Sequence, residues 1–386
     1  MHISSHANMH KMHRLVKLKD ELNEIYLNQI IQTLAVSLIG VFIPIYLFEI
    51  GFDLIMIINY YMVFSLGVIF FSFLTAKISA RIGLKHTIFL STIPLITIYI
   101  LLQFLGHYNM YSLFYLIPII QGMWSSLYWV PLHSEFVKNS HKLHEGNEIG
   151  NLLAFPKLVA TFAPFFGAVI LKAMGFDVLF IMVIALIMLS VAPLFLTGDS
   201  KKRFNFDMEK FRWILPKNLH IHLFAEGILF VVEVLIWPLL VYFLFRDIMG
   251  IGILATITSI GVIAFTFVVS RYANTASNKR NLMRIGGIFY GLVLVARAFV
   301  TNMSEVYILS FLGGIFSTMI AISIYARFCD EARQGNILGA NITRHMWLGI
   351  GRAVLLIVML YLVNFQAPLE YALIVSGISI AALLLI

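Results

Sequence analysis

Long apolar stretches recur along the whole chain and are separated by short polar gaps. A helix needs about 20 apolar residues to cross the roughly 30 Å hydrocarbon core of a bilayer, whereas barrel strands alternate strictly over about ten residues. The pattern therefore predicts an all-α polytopic membrane protein. Twelve spans are expected, at 25–48, 54–76, 87–106, 110–132, 149–172, 176–197, 221–245, 250–270, 283–301, 305–326, 339–363 and 368–386.

One gap between spans is longer than the others. Residues 198–220 are polar and basic and lie near the middle of the chain. They predict an N-terminal six-helix bundle with a short basic leading segment (1–198), a central loop (199–219) and a C-terminal six-helix bundle (220–386). The basic run Lys201–Arg203 is interpreted as a solvated loop facing lipid headgroups.

The two halves resemble one another. At an offset of 194 residues, Ser65–Phe73 (SLGVIFFSF) falls on Ser259–Phe267 (SIGVIAFTF) with six identities. At an offset of 192 residues Gly122 meets Gly314, so the offset drifts as loop lengths change. An ordered series of matches predicts an internal duplication, with the halves related as parallel repeats by an axis along the membrane normal.

The basic residues predict the orientation. Of the 27 Lys and Arg residues, 22 fall on the side that holds the N-terminus, and only Lys172 and Arg246 fall on the other side. By the positive-inside rule both termini are expected in the cytoplasm, with the chain in the cell membrane. The net charge of +8 is thereby explained by topology, so no nucleic acid partner is expected.

Composition agrees with lipid as the solvent. Hydrophobic residues make up 60% of the chain and charged residues 12%, against about 45–50% and about 25% in soluble domains. The single cysteine, Cys329, excludes an intramolecular disulfide framework and a multi-cysteine metal site. The sequence lacks the hydrolase, phosphate-loop and dinucleotide motifs, so neither an enzyme nor a bound cofactor or metal is predicted.

Six plus six spans, a long central loop and a duplication resemble the major facilitator superfamily. Family members carry a Gly-x-x-x-Asp-Arg-x-Gly-Arg-Lys segment after the second span; here 76–85 reads AKISARIGLK, in which Arg81, Gly83 and Lys85 match. The resemblance implies twelve helices around a central cavity and a cytoplasmic gate at this loop. Ala80 replaces the aspartate of the motif and supplies no carboxylate to that gate.

Charged residues inside spans are costly and usually face the bundle interior. Glu233 lies roughly 18 Å into the seventh span, and Glu226 lies one heptad earlier on the same helix face, with Trp237 beyond. Either carboxylate could bind a substrate or a coupling proton, or could be held permanently by a cation between helices. Both interpretations remain open from the sequence.

Three cations also fall within spans. Arg352 and Lys157 occupy equivalent spans of the two repeats, which the resemblance places beside the central cavity. They could clamp an anionic group or form ion pairs with Glu233. Arg297 falls near the outer end of its span and is expected to extend to the interface.

Polar and aromatic residues in the first and fourth spans complete the candidates. They suit a pocket for an organic solute, although aromatic belts and polar contacts between helices explain them equally well. These residues are Asn28, Gln32, Gln121, Trp124 and Tyr128. His133 and Glu135, at the cytoplasmic end of the fourth span, are expected at the interface, and Pro44 and Pro238 are expected to kink the first and seventh spans.

These observations predict a monomeric secondary active transporter that moves a small organic solute by alternating access. An anionic substrate and proton coupling through Glu233 are options. A lipid or lysolipid flippase on the same scaffold is one alternative, with Lys157 and Arg352 holding the phosphate. A non-transporting membrane receptor or assembly factor is another, and Glu233 locked in a salt bridge would favour it.

Overall fold

The chain folds as a bundle of long helices with no β-strand in the residues that the structure, a computed structural model, describes: 23–108, 111–139, 155–196, 215–272 and 276–386. Each predicted span overlaps one helical segment. The segments are α1 (Asn23–Glu49), α2 (Leu54–Ile82), α3 (Leu84–Tyr108), α4 (Leu116–Asn139), α5 (155–174), α6 (176–195), α7 (Lys217–Phe245), α8 (Ile248–Tyr272), α9 (Ala276–Arg297), α10 (Met303–Ala332), α11 (Ile337–Asn364) and α12 (Glu370–Leu385).

The helical run Phe155–Phe195 is divided at Gly175, whose φ of 81° is open to glycine but strained for other residues. Contacts with α1 indicate that the chain reverses at Gly175. Gly167, before it, packs against Leu38, and Ser190, after it, is hydrogen-bonded to Asn28. By length and apolar composition, eight helices of the described residues qualify as membrane spans, with this run counted once. The count of twelve crossings and the predicted central loop, most of which lies outside the described residues, stay predictions.

The same packing is found in both halves. Helix α4 packs on α2 and α3, and its counterpart α10 packs on α8 and α9. In the first half, α2 and α4 cross at Gly67 and Gly122, where an added Cβ on Gly122 would lie 2.8 Å from the Gly67 backbone. Gly261 and Gly314 bring α8 and α10 equally close in the second half. Small residues let membrane helices approach at such crossings, so the repeat seen in the sequence conserves a packing contact.

The halves meet along two crossed pairs of helices. Helix α2 packs on α11, and α5 packs on α8. Gly349 of α11 lies against Ser65 and Ile69 of α2, and Gly252 of α8 lies against the Pro164 carbonyl of α5. The interface of the halves is therefore built at the level of backbone contact, and candidate residues on α5, α7 and α11 lie close to it.

Helices α1 and α7 are both irregular just before a proline. A 3₁₀ turn (Gly40–Phe42) precedes Pro44, and a π-helical turn (Val232–Ile236) precedes Pro238. Proline cannot donate the backbone hydrogen bond to the fourth residue before it, so the preceding turn relaxes. Glu233 lies inside the π-helical turn, a feature found often at functional sites.

Candidate functional site

One face of α7 meets three arginines. Glu226, Phe230, Glu233 and Trp237 follow each other at helical spacing and therefore share a face. Glu226 and Glu233 each bind an arginine, and Phe230 lies beneath a third one. Three arginines therefore contact the face of α7 that the sequence predicted. They differ in the groups that balance their positive charge.

Glu233 forms a hydrogen-bonded network with Arg297 and Tyr290. Arg297 Nη1 donates to Glu233 Oε1 at 2.8 Å, and the Tyr290 hydroxyl donates to the same oxygen at 2.6 Å. Arg297 is fully buried, so the expectation that it extends to the interface is wrong. Arg297 does lie at the end of its helix, as predicted. Its guanidinium contacts the Glu233 carboxylate and the Trp237 ring instead of water.

Neighbouring residues shape the pocket of Arg297. Its guanidinium lies 4.7 Å from the ring centroid of Trp237, whose indole nitrogen donates to the Ser310 hydroxyl at 3.0 Å. Gly313 leaves the space that the arginine fills, because an added Cβ there would lie 2.2 Å from Arg297 Nη2. Glu233 keeps a side-chain exposure of 20%, so one oxygen is held while the carboxylate still reaches accessible space.

Glu226, one heptad before Glu233, forms an ion pair with Arg344. Arg344 Nη2 donates to Glu226 Oε1 at 3.1 Å, and the guanidinium lies 5.2 Å from the Tyr325 ring centroid. Glu226 is therefore part of an ion pair, while its Oε2 is buried without a hydrogen bond in the described part of the chain.

Arg352, the third arginine, forms no salt bridge with a described carboxylate, although the charge of Glu226 is near enough to act on it. Its guanidinium lies 3.9 Å from the ring centroid of Phe230 in the second half and 5.5 Å from that of Phe64 in the first half. The residue is 8% exposed, and neither Nε nor Nη1 has a hydrogen-bond partner among the described residues. Two aromatic faces offset part of the cost of burying a cation. The N–H groups of Nε and Nη1 nevertheless remain without an acceptor among the described residues.

Lys157 of α5 is exposed. Glu233 of the second half is near enough for the two charges to interact. Lys157 forms no salt bridge with any described residue. The location of Lys157 beside a central cavity, which the resemblance implied for α5, stays a prediction.

The predicted polar residues of α1 and α4 are divided between satisfied and unsatisfied groups. Asn28 donates to the Ser190 carbonyl at 2.7 Å, and Gln121 accepts from the Tyr60 hydroxyl at 2.7 Å. In contrast, both amide atoms of Gln32, the indole nitrogen of Trp124 and the hydroxyl of Tyr128 are buried with no partner in the described residues. Trp124 and Tyr128 stack with centroids 6.3 Å apart.

Contacts between the halves close both ends of the molecule. At one end, the Tyr242 hydroxyl donates to Glu49 Oε1 at 2.7 Å. At the other, which we call the Asn341 end, Asn341 donates to the Ser134 hydroxyl at 3.0 Å, and the Tyr325 hydroxyl lies 2.7 Å from His133 Nδ1. His133 is 6% exposed, so its expected interfacial location is wrong.

Glu135, predicted at the interface with His133, is likewise buried and pairs with Lys138.

The predicted gate loop behaves differently from its motif. Lys85 is buried in an ion pair with Glu24 of the same half, Gly83 takes a φ of 96°, and Arg81 is exposed. The contacts of α4 with α10 and α11 were missed, because no local pattern marks them.

Two similarly packed halves that meet along their helices are typical of transporter folds built from parallel repeats. A profile of the Major Facilitator Superfamily matches residues 25–245. The chain belongs to the major facilitator superfamily. It is an integral membrane protein with a transporter fold, as the resemblance predicted.

Solved structures agree with this fold. A variant of the E. coli fucose:proton symporter FucP superposes with a TM-score of 0.70 at 12% identity, over 95% of this chain and 98% of that one. FucP in the outward conformation gives 0.69 at 11% identity, over 94% and 96%. A bacterial homologue of the iron transporter ferroportin in its outward-facing state gives 0.65 at 12% identity, over 94% and 98%. A search of curated proteins found no match.

Proposed function

We propose that this protein is a secondary active transporter that moves a small organic anion by alternating access. The observation that carries the proposal is Arg352, a buried cation between the halves whose Nε and Nη1 have no hydrogen-bond partner among the described residues. Such a cation is costly inside a bilayer unless something balances it. A substrate carboxylate or phosphate would supply that balance.

The surroundings of Arg352 support an organic anion. Phe64 and Phe230 offer apolar surface from the two halves, and Lys157 adds a second cation without a salt bridge among the described residues. Gln32, Trp124 and Tyr128 are further candidates because their polar groups are unsatisfied. Few polar groups among apolar and aromatic walls are typical of small-molecule sites.

The contacts that close the two ends support alternating access. Each consists of a few hydrogen bonds between the halves, such as Tyr242 with Glu49 and Asn341 with Ser134. Bonds of this kind contribute about 0.5–1.5 kcal/mol each, so one end can open while the other holds. The exposed Arg81 loop is proposed to face the cytoplasm together with both termini.

Proton coupling is a separate, finer proposal. Glu233 is the candidate, since one oxygen is held by Arg297 and Tyr290 while the side chain keeps accessible surface near Lys157. A Glu233→Gln protein that still accumulates substrate in a pH-dependent manner in proteoliposomes would contradict coupling at this residue.

Among the alternatives, the salt bridge of Glu233 fits a non-transporting receptor or assembly factor. That role gives no reason for the unbalanced charge of Arg352. A lipid flippase would use the same two cations for a phosphate. It is one outcome of the test below. We further propose that the chain acts as a monomer.

The test combines binding with transport. The purified chain is heated with lysolipids and with a panel of organic anions, including lactate, succinate, citrate and glucose 6-phosphate, each beside a neutral analogue. A ligand of the folded state raises the apparent Tm, and the anions that do so are tested for uptake into proteoliposomes. We expect a shift and uptake that Arg352→Gln abolishes; a shift by lysolipids alone, or by none of the panel, would contradict the proposal.

A further inference from the structure

A second group of basic side chains lies at the Asn341 end of the second half, away from Arg352. Arg280 and Arg284 come from the first turns of α9, Arg327 comes from the last turns of α10, and His222 comes from the start of α7. Their charges are close enough to act on one another. We call these four residues the headgroup cluster.

Hydrogen bonding leaves this cluster short of acceptors. Arg327 Nη1 lies 2.9 Å from His222 Nδ1. Because a guanidinium only donates, His222 Nδ1 is the acceptor and its proton is on Nε2. His222 is 1% exposed and its Nε2 has no partner in the described residues, so a buried donor points at nothing.

Arg284 repeats the pattern. Its Nε is buried and has no hydrogen-bond partner in the described part of the chain. Two carboxylates lie near the cluster: Asp330 is bound by Lys279 at 2.6 Å, and the charges of Asp330 and Glu331 act on Arg327. Among the described residues, neither Arg284 nor Arg327 forms a salt bridge with a carboxylate. Several donors with one charge sign and no acceptor match a tetrahedral oxyanion with several acceptor oxygens.

We propose that the headgroup cluster binds the phosphate of an anionic phospholipid. Arg284 is the second residue of the predicted span 283–301, at the boundary between the polar and the apolar part of α9 where a lipid phosphate is expected. One and two turns deeper on the same face, Ile288 and Leu292 are 41% and 59% exposed and present an apolar track for an acyl chain. Basic pockets between helices at the cytoplasmic side are typical of sites for acidic headgroups.

The test is lipid binding to the full-length chain, read by native mass spectrometry and by the apparent Tm in detergent. Dioleoyl-phosphatidylglycerol is titrated beside dioleoyl-phosphatidylcholine and beside inorganic phosphate. Arg284→Gln is compared with Lys77→Gln, which removes an exposed cation from the corresponding end of the first half. Arg280→Gln, an exposed position, serves as the second variant if Arg284→Gln does not fold.

We expect phosphatidylglycerol to be retained and to raise the apparent Tm more than phosphatidylcholine. Removing one arginine of the cluster weakens its binding about fivefold, whereas Lys77→Gln leaves it unchanged. Equal weakening in both variants would mean unspecific surface attraction and would overturn the site. Saturation by inorganic phosphate, with no preference for the lipid, would overturn the lipid as occupant.

Discussion

Two buried arginines, Arg297 and Arg352, contact the same face of α7, but their positive charges are balanced by different groups. Arg297 has a carboxylate, a tyrosine at that carboxylate and an indole beneath it, all from the second half. Arg352 has two phenylalanine rings, one from each half, and no salt bridge to a described carboxylate, although the charge of Glu226 acts on it. From this difference we propose that missing compensation, rather than depth in the membrane, marks a functional charge.

The largest effect is expected from breaking the balanced pair. Arg297→Gln leaves the partly buried Glu233 beside Tyr290 without its counter-charge, and breaking a buried ion pair costs about 3–5 kcal/mol. The apparent free energy of unfolding in detergent should fall by that order. The double variant Glu233→Gln/Arg297→Gln should recover most of the loss, and an equally unstable double variant would contradict a pairwise role.

Removing the unbalanced cation should act on binding and leave folding nearly intact. Arg352→Gln is expected to weaken the organic anion found by the thermal screen about 10- to 100-fold, the range for hydrogen bonds to charged groups. The apparent Tm without ligand should stay within a few degrees of the wild-type value. A severe loss of stability with unchanged anion affinity would reverse the assignment of the two arginines.

A smaller effect is expected from filling the space beside Arg297. The added methyl of Gly313→Ala would lie 2.2 Å from Arg297 Nη2, and overpacking costs about 1–3 kcal/mol. Gly40→Ala is the matched control, since its added Cβ would meet the Val36 side chain at 3.9 Å. Similar Tm values for the two variants would mean that the arginine moves aside freely.

The smallest effect is expected from Tyr290→Phe. The change removes the 2.6 Å hydrogen bond to Glu233 Oε1 but keeps the bond from Arg297, so the unfolding free energy should fall by about 1 kcal/mol. A loss as large as that of Arg297→Gln would show that the tyrosine, and not the arginine, holds the carboxylate.

The fold could be predicted from the sequence because hydropathy and duplication are written along the chain. The face of α7 also followed from the spacing of Glu226, Glu233 and Trp237. The partner of Glu233 did not, because it depends on how α9 packs against α7 and α10. Arg297 ends its helix as expected, but Gly313 opens a pocket for it that no local pattern reveals.

The gate shows the same limit. The motif drew attention to Lys85, which pairs with Glu24 of its own half. The contacts between the halves at that end join His133 to Tyr325 and Ser134 to Asn341. These partners are 192 and 207 positions apart along the chain, so only the tertiary fold brings them together.

The most direct measurement is the anion-induced shift of the apparent Tm in three proteins: wild type, Arg352→Gln, and the neutral pair Glu233→Gln/Arg297→Gln. The account predicts that the neutral pair keeps the shift and that Arg352→Gln loses it. A shift that survives in Arg352→Gln and disappears in the neutral pair would contradict the central claim that the unbalanced arginine, and not the balanced one, holds the substrate.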